Sequence, residues 1–192
     1  MTNLTNVPPG CPRVPAMMNT GTDARADTRT DTRTDTVVVR DAVATDARRL
    51  AGMRWDVKAE DGGLDPETRE AWVDRHTTWF KDAVTGDWQV FVAEDGLRLC
   101  GHVFVRVVDK APSPQPGATA IGYVTNFYVV PDRRGAGIGG RLLDAMTAWA
   151  GCKALDALVV WPSDESVANY ERVGFSGGEV LQLPVSRDAA TP

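Results

Sequence analysis

The chain has 192 residues, 43% of them hydrophobic, with 21 Lys+Arg against 26 Asp+Glu and a formal net charge of −5. That length fits one domain with an appendage, and the acidic balance disfavours a general nucleic-acid binder. Three cysteines, at 11, 100 and 152 with no Cys-x-x-Cys pair, argue against a disulfide scaffold and a cysteine zinc site and fit a reducing compartment.

Residues 1–36 combine Pro8, Pro9, Pro12 and Pro15 with a recurring Thr-Arg-Thr-Asp tract. Four Arg (13, 25, 29, 33) balance four Asp (23, 27, 31, 35), so the remainder of the chain carries the whole net charge. A stretch with so little to bury cannot offset its ordering entropy and predicts a disordered tail. It has neither the basic start nor the apolar stretch of a signal peptide. No apolar run in the chain reaches the ~18 residues of a membrane helix. A cytoplasmic protein without a membrane partner is the expectation.

The pattern changes at residue 37. Val37–Arg40 predicts a strand, and Ala42 to about Val57 a helix with Val43, Ala47, Leu50 and Ala51 at helical spacing. After an Asp-Gly-Gly-Leu-Asp-Pro loop, Asp65 is expected to cap a second helix with Pro66 at its first position, lined by Ala71, Trp72, Thr78, Trp79 and Phe80. Trp88–Ala93 and Leu97–Val108, joined by Glu94-Asp-Gly96, read as a β-hairpin. A Pro-rich loop leads to a strand over 120–130. Next comes a helix from Ile138 to about Gly151, with Leu142, Leu143, Met146 and Trp149 inward. A short buried strand over 157–161, a helix from Ser163 to Val173 closed by Gly174, and a last strand over 178–185 complete the series. Early hairpins followed by crossovers predict an α/β domain with a mixed sheet.

The most informative segment joins the strand over 120–130 to the helix at Ile138. Gly135, Gly137, Gly139 and Gly140 stand there, beside Arg133, Arg134 and Arg141. Glycines at a helix N-terminus let backbone N–H groups close on a phosphate, and the peptide dipoles and arginines add positive charge. Arg141-Leu142 after Gly140 excludes the Lys-Ser/Thr of a nucleoside-triphosphate loop. Gly135-Ala-Gly137-Ile-Gly-Gly140 does satisfy the G-x-G-x-x-G dinucleotide pattern. However, Pro131-Asp-Arg-Arg134 separates it from the strand, and a single further βα unit follows.

Here the chain resembles the GNAT superfamily of N-acetyltransferases. Arg134-Gly-Ala-Gly137-Ile-Gly139 is similar to the family's acetyl-CoA signature, Q/R-x-x-G-x-G/A. The lead-in Phe127-Tyr-Val129-Val-Pro131-Asp-Arg-Arg134 and the later Tyr170-Glu-Arg-Val-Gly174-Phe175 also resemble family motifs, in the family order. The resemblance implies a mixed, mainly antiparallel central sheet flanked by helices, over residues 37–187, with 188–192 a flexible C-terminus. It implies acetyl-CoA as acyl donor, an amine acceptor and no metal, with homodimer formation open.

It also assigns roles. Backbone groups of Phe127 and Val129 would hold the pantetheine arm, and the amides from Arg134 through Gly135, Ala136, Gly137, Ile138 and Gly139 the pyrophosphate. Tyr170 would protonate the leaving thiolate, since a phenol with pKa about 10 is protonated at neutral pH. Ser163 stands where relatives often carry a cofactor-touching Asn, and it suits a plain helix cap equally. The strand over 120–130 has neither carboxylate nor His, so the amine is expected to lose its proton through water ordered by Asn126. His76 and His102 read as surface or sheet residues. Glu60, Asp61, Asp65 and Glu67, with Trp55, Trp72 and Trp79 nearby, are either a mouth for a cationic amine or a solvated loop over core tryptophans. Two other classes stay open: an acyl-CoA-binding module without chemistry, and an NAD(P)-dependent oxidoreductase.

Overall fold

The computed structural model describes residues 37–62 and 68–177. The tail over 1–36, Asp65 and Pro66 in the loop, the last strand over 178–185 and the C-terminus over 188–192 lie outside these residues. Among the described residues nine strands and α-helices follow one another: β1 Val37–Asp41, α1 Ala47–Asp61, α2 Arg69–Thr85, β2 Trp88–Asp95, β3 Arg98–Asp109, β4 Ala120–Val129, α3 Ile138–Cys152, β5 Leu158–Val160 and α4 Val167–Arg172. The strands form one sheet in the order β1-β2-β3-β4-β5. The first three pairings are antiparallel and β4–β5 is parallel. This is the mixed α/β sheet expected. Among the described residues its pairings are mainly antiparallel, unlike the doubly wound parallel sheet of a dinucleotide site.

β3 is the centre of the core, buried continuously from Leu99 to Val105. Alternate residues of a strand face opposite sides, and β3 divides the helices accordingly. Phe104 meets Phe80 of α2, ring centroids 6.0 Å apart. Gly101, on the other face, lies against Leu142 of α3. Buried Leu142, Leu143 and Met146 of α3 and Leu50 and Met53 of α1 complete the two layers. Among the described residues no helix is long and apolar enough to cross a membrane.

Several boundaries differ from the sequence expectation for local physical reasons. α1 begins five residues later than Ala42, because Arg40 clamps a preceding 3-10 turn at Ala44–Asp46. Its guanidinium donates to Asp46 Oδ2 and to Glu94 Oε2, both at 2.7 Å. Glu94 and Asp95 are consequently strand residues, and the hairpin turns at Gly96 (φ +63°) and the fully exposed Leu97. The cap of α2 is Thr68, whose Oγ1 accepts from the Ala71 N–H. α2 buries Val73, Phe80 and Ala83, while Ala71 and Thr78 are exposed and Trp79 is 50% exposed. β5 is part-buried rather than buried, and the helix expected from Ser163 is a 3-10 turn at Asp164–Ser166 followed by α4.

Candidate active site

β4 carries the site, and a bulge shapes it. His102 pairs with Tyr128 and Phe104 with Thr125, so two residues of β4, Asn126 and Phe127, oppose Val103 alone. Asn126 takes φ +51°, a region that Asn enters at lower cost than other side-chain-bearing residues. The bulge therefore gives Asn126 a backbone reason to be asparagine. It also sorts the side chains. Phe127 and Val129 lie against Gly139 of α3. Asn126 and Tyr128 face α1, where they bond Arg54 and Glu60.

The β4–β5 ladder covers only Gly122–Val124 against Leu158–Val160. Beyond Val124 the strands part, which leaves the far half of β4 open on that edge among the described residues. The Val129 carbonyl faces the opening and accepts from Arg134 Nε at 3.0 Å. N–H and C=O of one strand residue share an edge, so the Val129 N–H faces it too.

The glycine turn closes the same opening. Gly135 and Gly137 have φ +78° and +73°, and Gly137 is the N-cap of α3. The first backbone bond across that cap runs from Arg141 N–H to Gly137 O at 3.2 Å, so the N–H groups of Ile138, Gly139 and Gly140 have no intrahelical acceptor. Side chains added at Gly135, Gly137 or Gly140 would point into open space, whereas one at Gly139 would come within 3.0 Å of the Phe127 ring. Ala136 sits exposed between the two left-handed glycines. Arg134 departs from the expected pattern, because its amide is already bonded to Pro131 O at 3.2 Å.

The left-handed geometry separates two substitutions. Gly137→Val is expected to cost roughly 1–3 kcal/mol of stability and to weaken binding of a phosphate-bearing ligand at these amides about tenfold. Gly140→Ala, in a helix with room to spare, should gain up to about 1 kcal/mol and bind normally. Thermal unfolding and calorimetric titration of both variants check this.

Tyr170 stands across the opening, 4% exposed, its ring 5.6 Å from Phe127 and 5.2 Å from Phe175. Burial pushes its phenol pKa well above the usual value. Ser163 begins the 3-10 turn, but its side chain caps no backbone N–H and donates instead to Ser166 Oγ at 3.2 Å.

Two groups that sequence reasoning named, Glu60 as part of an acidic mouth and His102 as a surface or sheet residue, complete the α1 side. Glu60, on the last turn of α1, accepts from Tyr128 OH at 2.7 Å and from Arg134 at 2.5 Å. Burial pushes its carboxyl pKa up, but the bonds from Arg134 and Tyr128 outweigh this and hold it below the ordinary range. Nothing in the spacing links residue 60 to residues 128 and 134. The other group is His102, fully buried, with neither ring nitrogen hydrogen-bonded among the described residues. Desolvation, reinforced by the charges of Arg54 and Arg49 and opposed by Asn126, pulls its pKa down to about 4. Its position inside the apolar run 99–105 was the available signal.

Of the acidic mouth, Glu60 and Asp61 are described and both are paired, while Asp65 and Glu67 lie outside the described residues. Asp61 bonds Lys58, Asp56 bonds Arg69, and Glu60 is committed as above. Trp72 stacks on His76 at 4.1 Å and leans on Trp55 at 6.0 Å, while Trp79 packs against Phe80 and Trp88. These tryptophans are largely committed to packing within the α-helical layer.

Residues 86–177 match the family model of the acetyltransferase (GNAT) domain. Solved structures repeat the fold. A GCN5-related N-acetyltransferase from Ralstonia eutropha JMP134 is 24% identical with TM-score 0.63, covering 78% of this chain and 98% of that one. A "predicted acetyltransferase with acetyl-CoA" from Clostridium acetobutylicum is 20% identical with TM-score 0.61, covering 77% and 96%. Glucosamine-6-phosphate N-acetyltransferase from Arabidopsis thaliana is 16% identical with TM-score 0.58, covering 79% and 99%. No curated protein matches in sequence. Residues 86–177 carry a GNAT acetyltransferase domain, and that domain is of the acyltransferase kind.

Proposed function

We propose that this protein is an N-acetyltransferase that moves the acetyl group of acetyl-CoA to a primary amine of a small molecule or peptide, by direct attack within a ternary complex. One observation carries the reading. The Val129 N–H, the amides at the start of α3 and the Tyr170 ring converge on the opening where β4 leaves β5. A thioester there would have a donor for its carbonyl, a seat for its pyrophosphate and an acid for its sulfur. The neighbouring structure solved with acetyl-CoA supports the choice of donor.

The steps follow from these groups. The amine nitrogen forms a bond to the thioester carbon, and the oxygen gains negative charge facing the Val129 N–H. The C–S bond then breaks, and Tyr170 gives its proton to the departing thiolate. The ammonium formed on attack loses its proton to water beside Asn126. Glu60 is a poor alternative base, because Arg134 and Tyr128 occupy both of its oxygens and favour its ionised form. Cys100 and Cys152 are free thiols, which fits the cytoplasmic setting expected from composition. The retained Tyr170 favours an enzyme over a mere CoA-binding module.

Calorimetry tests the donor. Acetyl-CoA should bind at one site and NAD should give no heat. Heat with NAD and none with acetyl-CoA would remove the reading.

A further inference from the structure

Seven arginines among the described residues are committed to carboxylates. Arg40 bonds Asp46 and Glu94, Arg48 bonds Glu70 and Asp74, and Arg69 bonds Asp56. Arg98, Arg106, Arg133 and Arg134 bond Asp132, Asp87, Asp95 and Glu60. Arg54 of α1 is a part-buried arginine that instead bonds a neutral side-chain amide. It is part-buried beneath the sheet, and among the described residues its guanidinium bonds only the neutral Asn126 Oδ1, at 3.3 Å. The Asp61 carboxylate supports its charge electrostatically and is itself bonded to Lys58. A guanidinium has five donors, and a part-buried cation without a bonded anion is costly. Arg54 has donors left over after Asn126.

The same spot holds two further unused groups. The Asn126 amide oxygen is taken by Arg54, which leaves its NH2 as a donor pair. His102 is fully buried, its ring nitrogens meet no geometric hydrogen-bond partner among the described residues, and it lies close enough to Asn126 and Arg54 to be influenced by both. The donors thus gather on the α1 face of β4, opposite the face on which Phe127 meets the glycine turn. The pyrophosphate seat is therefore not their target.

We infer that Arg54 and the Asn126 amide form a subsite for an oxyanion of the acceptor, so that the preferred amine carries a carboxylate or a phosphate. This rests on the acyl-transfer reading for the identity of the ligand as acceptor. A guanidinium and an amide NH2 held side by side by the Arg54–Asn126 bond suit an oxyanion with two oxygens to offer. Discrimination then has a physical source, since a neutral amine would leave the Arg54 charge part-buried and unpaired.

Two measurements test it separately from catalysis. In turnover, aminoethyl phosphate is compared with ethanolamine, and β-alanine with β-alaninamide, by thiol release from acetyl-CoA. The wild type should favour an anionic member at least tenfold in kcat/KM. Arg54→Gln should bring that ratio near one, and Arg54→Lys should restore part of it. A neutral amine used as well as its anionic partner, or a ratio unaltered in Arg54→Gln, overturns the subsite.

In binding, the full chain saturated with CoA is titrated with aminoethyl phosphate or β-alanine while the imidazole resonances of the two histidines are followed. A bound oxyanion should shift the His102 signal saturably, and Arg54→Gln should abolish the shift. The stronger of the two probes tells phosphate from carboxylate. No shift in the wild type with either probe, or an equal shift in Arg54→Gln, overturns the subsite even if turnover is never found. Should Arg54→Gln fail to fold, the wild-type titration and Arg54→Lys decide. Failure of every amine to release thiol, with the His102 shift intact, would instead count against the acyl-transfer reading alone.

Discussion

Tyr170→Phe is expected to lower kcat about 100-fold or more, within the range of general acid–base catalysis, with little change in acetyl-CoA affinity or melting temperature. The ring keeps its contacts with Phe127 and Phe175, so packing is retained and a single proton is lost. Burial raises the phenol pKa beyond its ordinary value of about 10. The group is then protonated throughout the neutral and mildly alkaline range, and it contributes no alkaline fall in kcat below about pH 10. Steady-state rates across pH 6–10 test both statements. A variant within twofold of the wild type would reduce Tyr170 to a packing residue.

His102 gives the second large effect, on stability. Its folded-state pKa of about 4 lies below the unfolded value of about 6.5. Above pH 6.5 both states are neutral and the group exerts no pH dependence. Between 6.5 and 4 the unfolded chain takes up a proton that the folded chain refuses, so stability falls as pH falls. The loss approaches about 3 kcal/mol at pH 4. The groups around it explain the direction. Phe104 and Tyr128 enclose the ring, and Arg54 and Arg49 repel a second positive charge. Urea unfolding of wild type and His102→Phe at several pH values between 4 and 8 isolates the contribution. The variant should lose less stability on acidification, and equal losses in both proteins would contradict the burial of a neutral imidazole.

Much of this was legible in the sequence, and the exceptions share a cause. Period-2 and period-3.6 patterns located the elements because burial on one face imposes them. The glycine turn was visible because left-handed backbone and an open cradle demand glycine at Gly135 and Gly137. What stayed hidden came from side-chain pairs distant in sequence. Arg40 reaches Asp46 and Glu94 and so delays α1 and extends β2. Glu60 reaches Tyr128 and Arg134, and Arg54 reaches Asn126. The bulge at Asn126 was equally silent, because a register shift between β3 and β4 is a property of two strands. Tyr170 was named from its motif, and its burial against Phe127 places it at the same opening as Gly139.

Acyl transfer from a thioester to an amine is tested most directly by following CoA thiol and acetylated amine together, in one reaction, over a panel of primary amines. The expected result is equal amounts of the two products with at least one amine, with formation slowed about 100-fold or more in Tyr170→Phe. Binding of acetyl-CoA without thiol release for any amine, or thiol release without an acetylated amine, would contradict it.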